Sequence, residues 1–223
     1  MDQRDLRPTQ DGWLHQLGPR MRTMWLAKVI GTTAGMTAFF IAYFWVLNHP
    51  VFPVTIMPLV AVDRWIAFRP EALVLYVSLW VYVSLAPGLL IDRRELFSYG
   101  LAAVVLSVIG LGFFFLWPTA VPKVELDWAR YPSFLTLRDV DASGNACPSL
   151  HVAFAVFTAF WFARLLRQMQ AGRLPQALNW LWCLGILYST LATRQHVALD
   201  VLAGAILGAV VAVCHLRLVR PTE

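Results

Sequence analysis

Six stretches of this chain contain no Asp, Glu, Lys or Arg: residues 29–62, 72–91, 96–122, 142–163, 174–193 and 201–216. A helix crosses the hydrocarbon core of a bilayer in about 20 residues, and long uncharged apolar runs are the signature of such crossings. We therefore expect six spanning helices. The first run is too long for one crossing. Asn48-His49-Pro50 with Pro53 and Pro58 breaks it, which predicts a span over 24–47 followed by an apolar, proline-kinked loop that lies in the interface or dips back.

Composition agrees with this reading. Apolar residues make up 59% of the chain and charged ones 14%, with a mean hydropathy of +0.61, whereas a soluble domain carries about a quarter of its residues charged. Disordered, collagen-like and disulfide-stapled classes are excluded. Of the three cysteines, Cys183 and Cys214 sit in apolar runs and Cys147 stands alone, so neither a disulfide framework nor a Cys-x-x-Cys ligand pair is implied. The first apolar segment follows more than 20 residues of polar arm and has full span length, unlike a cleaved signal peptide, and is expected to remain. The expected architecture is an all-α membrane protein: an amino-terminal arm (1–23), a six-helix transmembrane catalytic domain (24–216) and a tail (217–223).

Lys and Arg set the orientation. Twelve fall on the arm, the second-to-third and fourth-to-fifth connections and the tail, against six on the other side: Arg64, Arg69, Lys123, Arg130, Arg138 and Arg194. The positive-inside rule then places both termini in the cytoplasm. The net charge of +5 reads as this topology signal plus attraction to anionic lipid heads. No basic run interleaves with exposed aromatics, so nucleic acid is not an expected partner. Trp13, Trp25, Trp65, Trp117 and Trp128 fall near span ends, where they serve as interfacial anchors.

This topology gathers polar residues on the outer face. Asp63-Arg64 and Arg69-Pro70 precede the second span, Cys147-Pro148-Ser149-Leu150-His151 opens the fourth, and Thr193-Arg194-Gln195-His196 with Asp200 opens the sixth. All three spans begin at that face, so their unpaired N–H groups and positive dipole ends favour an anion there. Pro70 and Pro148 suit first-turn positions. His196 and Asp200 are four apart, so a carboxylate can hold one ring nitrogen and leave the other to act as nucleophile or base. Alone, this pair also describes a structural contact between helices. His151, a second imidazole at the same depth, favours a functional site. His15, His49 and His215 have no such setting.

Arg69-Pro70, Pro148-Ser149-x-His151 and His196-x-x-x-Asp200, in that order, resemble the type 2 phosphatidic acid phosphatase superfamily. The neighbouring residues, from Asp63 to Pro70, Cys147 to Ala153 and Gln195-His196, are most similar to its inositol phosphorylceramide synthase branch. The resemblance implies roles: His196 takes a phosphoryl group from a lipid phosphate, Asp200 orients it, and His151 protonates the departing oxygen. Arg69 holds the phosphate with help from the Ser149 hydroxyl or backbone. It implies no metal and no cofactor. The chain departs from the family pattern at Val62, where a Lys is usual, at Leu150 in place of Gly, and at Ser189-Thr190 in place of Ser-Arg. Arg64 is then the cation nearest to the missing Lys, and Arg194 is a candidate to replace the missing Arg.

Phosphoryl transfer needs positioning and charge neutralisation, which guanidiniums, helix ends and a held nucleophile supply. His196 must be neutral to attack and His151 charged to donate, which predicts a bell-shaped dependence of rate on pH. The phosphohistidine is then open to water, or to an alcohol such as inositol. The loop over 119–146, with Lys123, Glu125, Asp127, Trp128, Arg130, Arg138, Asp139 and Asp141, is read as a cover for the site, an acceptor subsite or a solvated connection. Ser143-Gly144-Asn145 is read as a flexible turn or a helix cap. The expected function is thus a metal-independent lipid phosphatase or phosphotransferase in an inner membrane, with its site facing the periplasm; a Golgi lumen satisfies the same topology. The competing readings are a proton-coupled transporter using the same groups, a scaffolding protein, and a zinc site on His151, His196 and Asp200.

Overall fold

The computed structural model describes residues 12–123, 130–131, 133–134 and 144–218. In chain order its elements are α1 (Leu14–Arg22), α2 (Trp25–Asn48), β1 (Thr55–Ile56), α3 (Ala61–Trp65), a 3-10 turn (Pro70–Ala72), α4 (Leu73–Val77), α5 (Leu79–Leu89), α6 (Arg93–Leu116), β2 (Thr119–Ala120), α7 (Leu150–Gln168), α8 (Arg173–Ala192) and α9 (Ala198–Leu218). The protein is all-α in class. Trp25–Asn48, Pro70–Leu89, Arg93–Leu116, Leu150–Gln168 and Ala198–Leu218 are long and apolar enough to cross a membrane.

The sixth expected span, α8, has 20 residues but is not among those five. Its polar residues explain why. Asn179 is buried, donating from Nδ2 to the Ala159 carbonyl at 3.0 Å and accepting the Tyr82 hydroxyl at 2.6 Å. A side chain that lowers hydropathy is thus matched inside the bundle, where an unmatched amide is unfavourable.

One connection differs from the expectation. The proline-rich loop is tied down: β1 pairs in parallel with β2, Thr55 opposite Thr119 and Ile56 opposite Ala120, at the end of α6. The second span is fastened at Ser78, between α4 and α5: its backbone keeps helical hydrogen bonds to Val74 and from Tyr82, while its hydroxyl donates to the Leu75 carbonyl at 2.6 Å and accepts from Trp182 Nε1 at 2.9 Å.

α7 lies at the centre, with Val152, Ala153, Ala155, Phe157, Ala159, Trp161 and Leu165 fully buried. Its closest neighbour is α9, because Gly204 and Gly208 let the two backbones meet. A Cβ at Gly204 would overlap the Ser149 carbonyl oxygen, and one at Gly208 the Ala153 carbonyl oxygen. Membrane helices associate through such small-residue faces, since lipid supplies no hydrophobic drive. The contact continues upward in a hydrogen bond from Ser149 N–H to the Asp200 carbonyl at 3.0 Å.

The opposite end of the bundle is also polar. Lys28 is buried and donates to the Arg20 and Gly88 carbonyls, both at 2.7 Å. Arg164 pairs with Glu95 at 2.7 Å, and His215 Nε2 meets Ser98 Oγ at 2.7 Å. His215 therefore sits far from the other conspicuous histidines and has a structural partner.

Candidate active site

The turn between α8 and α9 shapes one wall of the site. Arg194 adopts φ 60°, and the N–H groups of Gln195 and His196 both return to the Thr190 carbonyl, at 3.1 and 3.2 Å. This tight reversal sends His196 inward just before α9 starts. His196 is 4% exposed, and its Nδ1 lies 3.6 Å from Asp200 Oδ2. Neither imidazole nitrogen has a hydrogen-bond partner among the described residues, and neither does Asp200 Oδ1. Asp200 Oδ2 accepts from Val197 N–H at 3.0 Å, so this carboxylate also caps the start of α9.

His151 approaches from the first turn of α7, its ring centroid 5.9 Å from that of His196. Tyr76, from α4, stacks on it at 4.8 Å with its hydroxyl 2.9 Å from Nε2. Trp80, from α5, stands at 6.0 Å. His151 and the His196–Asp200 pair, distant from it in sequence, thus share one end of the bundle. Cys147 is close by but is no rival nucleophile. Burial, reinforced by the Asp200 charge, raises its thiol pKa to about 11, so it stays protonated near neutrality.

The segment before α4 is fastened to this wall. Arg194 donates from Nη1 to the Asp63 carbonyl and from Nη2 to the Ile66 carbonyl, both at 2.8 Å. The Asp63 carboxylate accepts from Val60 N–H at 2.8 Å and from Ala198 N–H, the first residue of α9, at 2.7 Å. Arg69 N–H donates to the Ala192 carbonyl at 2.9 Å, while the Arg69 side chain is exposed, as is that of Arg64.

These contacts revise parts of the expected phosphate clamp. Arg194 is engaged as a clasp between the first and third motifs, because both terminal nitrogens reach backbone carbonyls. The Ser149 N–H is committed to Asp200, and its Oγ caps α7 by accepting from Val152 N–H at 3.3 Å. Among the described residues the Ser149 hydroxyl has no acceptor for its proton, and the residue is fully buried. Thr190, at the position of the missing Arg, turns its hydroxyl back to the Leu187 carbonyl at 2.8 Å. Gly144 and Asn145 do not form a flexible turn. They are buried and bridge to Thr119, with Thr119 N–H donating to the Gly144 carbonyl and Ala146 N–H to the Thr119 carbonyl, both at 3.0 Å. Glu125, Asp127, Trp128, Arg138, Asp139, Asp141 and Ser143 lie outside the described residues. Among the described residues no group of three or more His, Cys, Asp or Glu comes together as a metal-ligand set.

A family model of the PAP2 superfamily matches residues 93–222, more than half of the chain. The chain belongs to the PAP2 superfamily. No curated protein and no solved structure matches it significantly. The matched stretch runs from α6 through α9 and contains both histidine motifs, whereas Arg69-Pro70 precedes it. PAP2 membership supports an enzyme of phosphatase or phosphotransferase type. Sequence reasoning missed Tyr76, the Asp63 tether and the close approach at Gly204 and Gly208. The last had a visible signal, a Gly-x-x-x-Gly spacing inside an apolar run. A tyrosine within a span carries no comparable signal.

Proposed function

We propose that this PAP2 protein is a metal-independent lipid phosphatase or head-group phosphotransferase that works through a phosphohistidine on His196. The carrying observation is the state of His196: buried, with two unpartnered ring nitrogens, beside a carboxylate and 5.9 Å from a second imidazole. A histidine kept for packing has at least one nitrogen satisfied, as His215 has through Ser98.

The chemistry follows from the geometry. Asp200 lies on the Nδ1 side and favours the tautomer with its proton there, which leaves the Nε2 lone pair to attack phosphorus. A P–N bond forms while the P–O bond to the lipid alcohol breaks, and the leaving oxygen takes a proton from His151. Water, or an alcohol acceptor such as inositol, then attacks the phosphohistidine and returns its proton to His151. The P–N bond breaks and neutral His196 is restored. Phosphate charge is met by Arg69 and Arg64, by the Ser149 hydroxyl and by the amino-terminal ends of α7 and α9. Arg194 serves by holding the Arg69 segment in place.

The substrate class is a lipid phosphate or phosphodiester in the outer leaflet of an inner membrane, with both termini cytoplasmic and α8 as a sixth span. Residues 63–70 and 147–153 resemble the inositol phosphorylceramide synthase branch, which extends the proposal to transfer onto an alcohol.

The test is direct. Purified protein in detergent is incubated with phosphatidic acid, an isoprenyl phosphate and phosphatidylinositol, with and without ceramide or inositol. Inorganic phosphate marks hydrolysis and a new phosphodiester marks transfer. His196→Ala should abolish both while the protein stays folded; turnover that survives this change refutes the proposal.

A further inference from the structure

His151 is gripped by two rings from one span. Tyr76 lies in α4 and Trp80 in α5, on either side of Ser78, which Trp182 anchors. Tyr76 is 4% exposed, and its ring lies nearly parallel to the imidazole, at an interplanar angle of 30° and 4.8 Å between centroids. Its hydroxyl oxygen is 2.9 Å from Nε2. Trp80 closes the other side edge-on, at 6.0 Å and 71°.

A proton donor in phosphoryl transfer must be aimed at the leaving oxygen, and a misplacement of about 1 Å can lower the rate about a hundredfold. A charged imidazole carries a hydrogen on each nitrogen, so Nε2–H finds its acceptor in the Tyr76 oxygen. One ring thus fixes both the plane of His151, by stacking, and its rotation in that plane, by the hydrogen bond.

We propose that Tyr76 is a positioning residue for His151: it accepts from Nε2–H and holds the imidazole so that the proton given to the leaving alkoxide, as the P–O bond breaks, is the one on Nδ1. The inference rests on the reading of His151 as the proton donor given above.

Tyr76→Phe keeps the stacking ring and removes only the acceptor. It is assayed as full-length protein on a long-chain alkyl phosphate, whose leaving group needs a proton, and on an alkylated nitrophenyl phosphate, whose leaving group does not. We expect kcat on the alkyl ester to fall about tenfold or more with KM unchanged, and kcat on the aryl ester to change less than about twofold. Equal loss on both esters, or no loss on either, overturns the proposal. A second measurement does not depend on turnover. In protein carrying 15N-histidine, the His151 Nε2 resonance, assigned with His151→Gln, should move in Tyr76→Phe; a resonance that stays in place also overturns it. If the wild-type protein turns over no lipid phosphate, the phosphotransfer reading fails, and the resonance alone decides whether Tyr76 holds His151.

Discussion

An imidazole buried without a partner on either nitrogen lowers the stability of the fold that keeps it, since an unsatisfied buried polar group costs about 1–3 kcal/mol. His196 does this beside an equally unmatched Asp200 Oδ1. Asp200 has two functions that one substitution separates. Its cap on Val197 N–H needs only an acceptor oxygen, which Asn also offers. Orienting and charge-compensating His196 needs the carboxylate. Asp200→Asn should therefore lower kcat about a hundredfold or more, through the wrong tautomer, while the thermal unfolding midpoint in detergent stays within a few degrees. A large fall in the midpoint with kcat retained would reduce Asp200 to a cap. The two arginines separate in the same manner. Arg69 has an exposed side chain and contributes its backbone N–H to the wall, so Arg69→Ala should raise KM about tenfold or more through loss of a charge-assisted contact to phosphate. Arg194→Ala removes two donors from the Asp63 and Ile66 carbonyls and should lower stability by about 2 kcal/mol. Titrations of rate against substrate and of unfolding against denaturant check the pair. His151, His196 and Asp200 were legible because ionisable groups beside apolar runs stand out. The use of Arg194 was not, because an arginine that binds phosphate and one that binds carbonyls look identical in sequence.

At the scale of the element, charge-free runs located the helices, since a residue type excluded from lipid marks where lipid begins. They could not reveal that Ser78, in mid-span, takes a hydrogen bond from Trp182, 104 positions away. Nor could they rank the helices by burial. The uniform apolarity of α2 and α7 conceals that α2 has an open outer face while α7 is enclosed. Glycines sort the same way. Gly31 and Gly35 in α2 have nothing near the place of a Cβ, whereas Gly204 and Gly208 meet carbonyl oxygens of α7. Gly204→Ala must push α9 away from Ser149, at an expected cost of about 1–3 kcal/mol. Because His151 lies on α7 and His196 stands just before α9, turnover should fall with it. Gly35→Ala, by contrast, removes backbone entropy at an open site and should be neutral or slightly stabilising. Melting midpoints and phosphate release of the two variants decide this, and similar behaviour at both positions would show that the close contact sets neither quantity.

The whole molecule has two polar ends joined by an apolar middle, and among the described residues one end brings two imidazoles and a carboxylate together on a wall built from three motifs. At the other end the buried cations are engaged, Lys28 on carbonyls and Arg164 on Glu95, beside exposed Arg93 and Arg94. The positive-inside rule counts cations near span ends whether engaged or exposed, whereas a phosphate site needs cations within reach of its ligand. The side of the membrane each end faces therefore fixes the leaflet from which a lipid phosphate enters. Exposed Arg69 belongs to the histidine end and exposed Arg93 to the opposite end. In a background lacking Cys147, Cys183 and Cys214, Arg69→Cys should react with a membrane-impermeant maleimide from outside sealed vesicles of native orientation, and Arg93→Cys only after they are permeabilised. The labelling needs no catalytic activity, so it is independent of the chemistry. The reverse pattern would turn the bundle over, place His151 and His196 at the inner leaflet, and require the substrate to be a lipid phosphate presented from the cytoplasm.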